Sequence, residues 1–283
     1  MSLNRKSFKQ AILTISFAAV VGSGTFWFTG GFDNLNKVNV QNEGMKEQIE
    51  LVQSAINEEY VQNQSNESSI NNQVSSVEEY IPKYDFDKLR EINPNIIGVI
   101  EGDIFEGGYY PVVSSDSFDE LNSNLYRSVD GSENSIGTIT VDPNSNGNMQ
   151  GNVVRLWGHH FANEEDNGKM FSSLVNYDSQ EFYNGHKTLK YYTEFGEYEL
   201  EIFACTKDNP LEQEVGYVND LEANMNEVMA RSMISSDVKP GERVMILTTC
   251  PKEGSINSGD NRISVYSSVH PVYEKTMNNS KTM

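Results

Sequence analysis

Val244-Met245-Ile246-Leu247-Thr248-Thr249-Cys250 is a run of β-branched and aliphatic residues without Gly or Pro, closed by two threonines and a cysteine. Such a run reads as a buried strand. Its last residue is a thiol at a strand terminus, beside a loop that opens with Pro251. A nucleophile placed there can meet a substrate. Twelve residues on, Arg262 begins a second apolar-alternating run, Ile263-Ser264-Val265-Tyr266. Two antiparallel strands joined across that loop bring the guanidinium back towards the Cys250 sulfur. A third strand pattern starts near Val153 and ends in Leu156-Trp157-Gly158-His159-His160. Cysteine, arginine and histidine, each at a strand end, supply a nucleophile, an anion stabiliser and an acid/base.

Further strand patterns flank these three. The full set of candidates is 96–101, 109–113, 137–141, 152–157, 188–193, 197–206, 243–249 and 263–268. Eight short strands separated by polar turns predict a closed barrel or a sandwich rather than a parallel α/β sheet. The fold class is therefore mainly β with added helices. A short helix through Phe86, Leu89 and Ile92 opens the domain, and helical interruptions are expected at 170–177, 180–184 and 221–235. The last carries a stripe of Leu221, Met225, Val228, Met229 and Met233, which reads as core filler. Pro240-Gly241 then closes it with a turn.

The chain of 283 residues is long enough for one large domain or two small ones. Its 21 Lys and Arg against 41 Asp and Glu give a net charge of −20. That balance excludes a nucleic-acid partner, because phosphate neutralisation needs clustered cations, and none is visible beyond the N-terminus. There, Arg5, Lys6 and Lys9 precede an uncharged stretch from Gln10 to Phe32, followed by Asp33. About twenty apolar residues suffice to span a bilayer, and the basic flank orients the N-terminus to the cytoplasm. The competing reading is a cleaved signal peptide, against which the apolar run continues through Phe26-Trp27-Phe28.

Four segments follow from this pass. Residues 1–33 form a cytoplasmic n-region and single-pass membrane anchor, which places the remainder outside the cytoplasm. Residues 34–83, rich in Asn, Gln, Ser and Glu, form a polar, partly helical or disordered spacer. Residues 84–273 are the catalytic domain, and 274–283 a polar tail. Two cysteines, Cys205 and Cys250, are present. Cys205 lies inside an apolar strand pattern and reads as a small core hydrophobe rather than a partner thiol.

The strand ending in Thr249-Cys250, the arginine opening the next strand and the upstream Gly158-His159 resemble the sortases, the cysteine transpeptidases of Gram-positive bacterial surfaces. Asn95-Ile96-Ile97-Gly98-Val99-Ile100 followed by Tyr110-Pro111-Val112-Val113 is similar to the opening strands of class B sortases. Gly158-His159-His160 with Met170-Phe171-Ser172-Ser173-Leu174 is similar to their Gly-His-His and Met-Phe-x-x-Leu segment. The resemblance runs from about Phe86 to Val269. It implies an eight-stranded sortase-type β-barrel with an N-terminal helix, and a helix inserted between the strand ending near Asp208 and the Cys250 strand.

The same resemblance implies the chemistry. Cys250 attacks a threonyl carbonyl in the C-terminal sorting signal of a surface protein and forms a thioacyl enzyme. An amine of peptidoglycan precursor, or a pilin lysine, then releases the product. The family motif gives the acid/base role to the histidine directly after glycine, hence His159; periodicity alone does not choose between it and His160. Arg262 would bind substrate backbone and stabilise the oxyanion, a task suited to its fixed fork of donors. The N–H after Cys250 is lost because residue 251 is proline, so Thr249 is the candidate for added oxyanion support. No cofactor is implied, and adjacent histidines without spaced partners fit zinc patterns poorly. Two alternatives stand beside this reading: an extracytoplasmic cysteine hydrolase using the same residues, and a non-enzymatic anchored surface domain.

Overall fold

The computed structural model describes residues 32–67, 80–161, 168–209, 221–252 and 261–275. The expected anchor at 10–32, apart from Phe32, lies outside these residues, as do the acidic run 164–167 and most of the loop after Pro251. Among the described residues no helix is long and apolar enough to cross a membrane.

Eight strands close into one barrel: β1 (Ile96–Glu101), β2 (Tyr109–Val113), β3 (Ile139–Val141), β4 (Val153–Trp157), β5 (Thr188–Thr193), β6 (Gly196–Asp208), β7 (Val244–Thr249) and β8 (Arg262–Glu274). Their order around the barrel is β1-β2-β3-β4-β7-β8-β6-β5, with β5 paired back onto β1. The β2/β3 and β4/β7 pairs are parallel and the rest antiparallel. Closure removes the free sheet edges that a sandwich retains.

The helices are α1 (Phe32–Ser54), α2 (Glu58–Glu67), α3 (Phe86–Ile92), α4 (Phe118–Asn124), α5 (Gln180–Gly185) and α6 (Leu221–Arg231). A 3-10 helix covers Ser172–Asp178. Local chemistry sets the starts of the short ones: Asp85 accepts from the Lys88 N–H, Ser117 from Glu120 and Ser179 from Phe182, each an N-cap. The inserted helix is α6, between β6 and β7.

Alternation along each strand divides two packed layers. Val154 and Leu156 of β4, Met245 and Leu247 of β7, Ile263 and Val265 of β8 and Cys205 of β6 fill the barrel core. Val244, Ile246 and Tyr266 belong to a second cluster, packed with Met225 and Val228 of α6. Met225 is therefore a packing residue, with Met229 partly buried against the same cluster, whereas Met233 lies past the end of α6 and is exposed, because the helix stops at Arg231.

Packing also extends ahead of Tyr84. The compact unit runs from Gly44 to Met283, so it begins well before Tyr84. Met45, Gln48, Val52 and Ala55 are buried at helical spacing along α1 and its C-terminal end. The Gln48 side chain donates to the Gly137 carbonyl at 2.9 Å. A contact stripe this narrow, with glutamine at one position, leaves the segment polar by composition.

Candidate active site

Register places three predicted residues at one rim. In the parallel β4/β7 pair Trp157 lies opposite Thr248, and the Gly158 N–H donates to the Thr248 carbonyl at 3.2 Å. The Thr249 hydroxyl in turn donates to the Gly158 carbonyl at 2.8 Å, so the segment that leads into His159 is bonded to the two residues before Cys250. In the antiparallel β7/β8 pair Thr249 lies opposite Ile263, so the next residues outward, Cys250 and Arg262, are level. Because β4, β7 and β8 are neighbours, the strand ends that lead to histidine, cysteine and arginine follow one another along this rim. By strand alternation Cys250 and Arg262 share the face of Ile246 and Tyr266, outside the barrel core. Thr248 and Ser264, joined through their hydroxyls at 3.3 Å, lie on the same face below them.

Cys250 is half-buried. Burial pushes its thiol up and the Arg262 guanidinium pulls it back down, with burial the larger influence. Arg262 opens β8, half-buried, and its Nη1 donates to the Asn261 carbonyl at 2.8 Å. On its other side the β6 residue in register is Asp208. The other thiol, Cys205, is fully enclosed in the barrel, and burial holds it far above the ordinary range. It has no route to a thiolate at neutral pH.

His159 is framed by aromatic rings, Tyr126 edge-on at 5.2 Å and Phe161 tilted at 5.8 Å. Burial holds its imidazolium below the ordinary value, while the Leu125 carbonyl, 2.5 Å from Nε2, acts in the opposite sense. Sequence reasoning missed Leu125 and Tyr126; the carbonyl that meets the ring lies 34 positions before the histidine. A backbone carbonyl leaves no residue-type signal.

The Gly-His and Met-Phe segments belong together physically. The Phe171 N–H donates to the His159 carbonyl at 3.0 Å, and the Phe161 N–H to the Ser172 hydroxyl at 2.9 Å. A Cβ on Gly158 would meet the Phe171 ring at 2.7 Å, and Phe171 is fully buried. Glycine before the histidine is thus required by the phenylalanine that seats it. Met170 turns into this segment at φ 50°, a left-handed conformation that costs a non-glycine residue about 1 kcal/mol or more.

Two further residues, His160 and Thr249, make defined contacts beside the nucleophile. His160 is half-buried, and its Nδ1 lies 3.1 Å from the Pro251 carbonyl. Strand geometry stops at Trp157, so neighbours beyond it need not point to opposite faces. His160 therefore contacts the residue after Cys250. Thr249 is buried and its hydroxyl donates to the Gly158 carbonyl at 2.8 Å. This bond clamps the end of β4 to the end of β7, worth about 1 kcal/mol net. Just beyond, Lys252 pairs with Asp178 at 2.8 Å, tying the start of the loop to the 3-10 helix.

Comparison with known proteins gives consistent neighbours. The chain is 30% identical over 172 residues to the Sortase B of Staphylococcus aureus (strain NCTC 8325 / PS 47), covering 58% of this chain and 67% of that protein. A crystal structure of Sortase B complexed with triglycine superposes with a TM-score of 0.58 at 25% identity, covering 66% of this chain and 86% of the other. The Staphylococcus aureus sortase B–substrate complex gives 0.57 at 26% identity, covering 66% and 85%. No family model matches the chain.

Proposed function

This chain belongs to the sortase family and is a class B-like cysteine transpeptidase; from that premise we propose which residues do the work and on what substrate. Cys250 attacks the carbonyl of a threonine within a C-terminal sorting signal. His159 moves the protons, and Arg262 meets the negative charge that develops on the carbonyl oxygen. Thr249 contributes by holding the Gly158-His159 end of β4 against β7. The observation that carries this assignment is that His159, Cys250 and Arg262 lie at or just past the ends of three adjacent strands at one rim, with Gly158 bonded to both Thr248 and Thr249.

The steps balance without a cofactor. The sulfur–carbon bond forms as the scissile carbon–nitrogen bond breaks, and the departing amine takes a proton from His159. An incoming amine then attacks the thioacyl carbon, gives its proton back to His159 and releases the thiolate. One amide is exchanged for another. The related sortase B structures hold a substrate in one case and triglycine in the other. By analogy the acceptor here is an amine of peptidoglycan precursor, or a lysine of a pilin. Incubating the protein with a sorting-signal peptide, with and without triglycine, and following cleaved and amine-joined products by mass spectrometry tests the proposal. Cleavage whose product never carries the amine, whichever amine is supplied, would mark a hydrolase instead.

The same assay carries a pH prediction. The competent pair of Cys250 and His159 shares one proton, so kcat/KM falls when the pair gains a second or loses the first. Burial lowers the His159 value, which places the acid limb below the ordinary histidine value of about 6.5. Burial raises the Cys250 value, which places the alkaline limb above the ordinary thiol value of about 8.5. Arg262→Gln removes the charge that opposes burial at the thiol, and should move the alkaline limb higher still. An alkaline limb below the ordinary thiol value would mean that the cation outweighs burial.

Residues 10–32 are proposed to anchor the enzyme in the membrane with the catalytic domain outside. The basis is the uncharged length and the basic flank at Arg5, Lys6 and Lys9. Fractionated cells should release the protein with detergent but not with high salt. A freely secreted form beginning after residue 24 would sink this assignment.

A further inference from the structure

We propose that the Leu125 carbonyl selects which ring nitrogen of His159 exchanges protons, and that Gly137 is the positioning residue that keeps this carbonyl in place. The inference rests on the acid/base role proposed above for His159 and specifies the atom that performs it.

A carbonyl oxygen only accepts hydrogen bonds. Its partner at 2.5 Å, His159 Nε2, must therefore carry the hydrogen. In the neutral ring that leaves Nδ1 as the basic nitrogen, the one atom of the imidazole able to take a proton from a thiol or an amine. The carbonyl comes from the turn where α4 ends. Leu125 is the C-cap residue, and the N–H groups of Leu125, Tyr126 and Arg127 satisfy the carbonyls of Leu121, Ser123 and Asn124. The Leu125 oxygen is one of the terminal carbonyls that a helix cannot satisfy internally, and the histidine ring takes it.

Gly137 fixes this oxygen from the opposite side of the same loop. It sits at φ +69°, and a Cβ built on it would lie 2.3 Å from the Leu125 oxygen and 2.7 Å from its carbonyl carbon. Both neighbouring atoms are backbone, so the clash is not relieved by rotating a side chain. The loop is pinned around the contact. The Thr138 N–H donates to the Asn124 carbonyl at 2.9 Å, the Asn134 N–H to the Tyr126 carbonyl at 3.0 Å, and the Thr138 hydroxyl to the Arg127 carbonyl at 2.9 Å. Behind Gly137, its own carbonyl accepts from buried Gln48 of α1. A continuous path of contacts thus runs from α1 through Gly137 and Leu125 to the imidazole.

The test uses full-length protein labelled with nitrogen-15 in its four histidines, with His159→Gln assigning the resonance by its disappearance. Long-range proton–nitrogen correlation distinguishes the two neutral tautomers directly, and needs neither substrate nor activity. The expected result is His159 in the Nε2–H form, with Nδ1 unprotonated. Gly137→Ala should mix the tautomers and lower kcat roughly ten- to a hundredfold with little change in KM. Gly131→Ala is the matched control. Gly131 also has a positive φ, +84°, but nothing lies within 4 Å of its Cβ position. It should share the backbone strain yet leave tautomer and kcat as they are.

An Nδ1–H tautomer in the unmodified protein overturns the inference, even if Gly137→Ala does not fold. So does a folded Gly137→Ala that keeps the native tautomer and rate. Neither outcome touches the assignment of His159 as the acid/base, which stands or falls on the activity of its own variants.

Discussion

Replacing Cys250 by alanine should leave no thioacyl intermediate and no detectable joining of a sorting-signal peptide to an amine, a loss of at least about 10³–10⁴-fold. The sulfur is the atom that forms the covalent bond, and no other thiol of the chain can take its place. Cys205 is enclosed in the barrel with its thiol held far above the ordinary range. The Thr249 hydroxyl is committed to the Gly158 carbonyl. The fold should survive, since Cys250 lies just past the end of β7 at the rim, half-exposed, and its loss opens no cavity in the core. Circular dichroism and mass spectrometry of the trapped enzyme decide the matter. A Cys250→Ala protein that still processed peptide would end the assignment of this cysteine as nucleophile.

His159→Ala should reduce turnover by roughly 10²–10⁴-fold, the range of a lost general acid/base. His160→Ala should cost only about tenfold or less, well below that range. The contrast follows from what each ring touches. His159 follows Gly158, which is bonded to the end of β7, and its ring is held by Leu125 and framed by Tyr126 and Phe161. His160 meets the Pro251 carbonyl, so its removal loosens the residue after the nucleophile without removing a proton carrier. Added imidazole offers a second readout, since it should restore part of the His159→Ala activity and none to Cys250→Ala. If His160→Ala were the inactive variant and His159→Ala active, the two roles would have to be exchanged.

Much of this site was legible because its parts are side chains at strand ends. The apolar run before Cys250 and the alternation after Arg262 each mark a strand by composition, and the eleven residues between them mark the loop. Expected strands at 96–101, 109–113 and 188–193 coincide with β1, β2 and β5. The longest strands were foreshortened. β6 and β8 extend to Gly196–Asp208 and Arg262–Glu274 because they pair with each other from Gly196↔Glu274 to Asp208↔Arg262. Pairing continues there through exposed His270 and Pro271, with Val272 passed over at a register shift, where no apolar alternation remains to be read. The packed half of α1 was hidden for a related reason: a few buried positions hold a polar helix to the barrel.

The sequence by itself determined the strands, the inserted helix and the residue types at the rim, because those are local patterns of polarity and period. The choice of barrel over sandwich belonged to tertiary structure. It depends on the parallel β2/β3 and β4/β7 contacts and on β5 closing onto β1, all between segments distant in the chain. Tertiary structure alone also brought the end of β4 against the end of β7 and set the His159 ring against the Leu125 carbonyl with Gly137 behind it. That arrangement is made of backbone oxygen, backbone dihedral and an absent Cβ, and such features take their meaning only from what the fold places next to them.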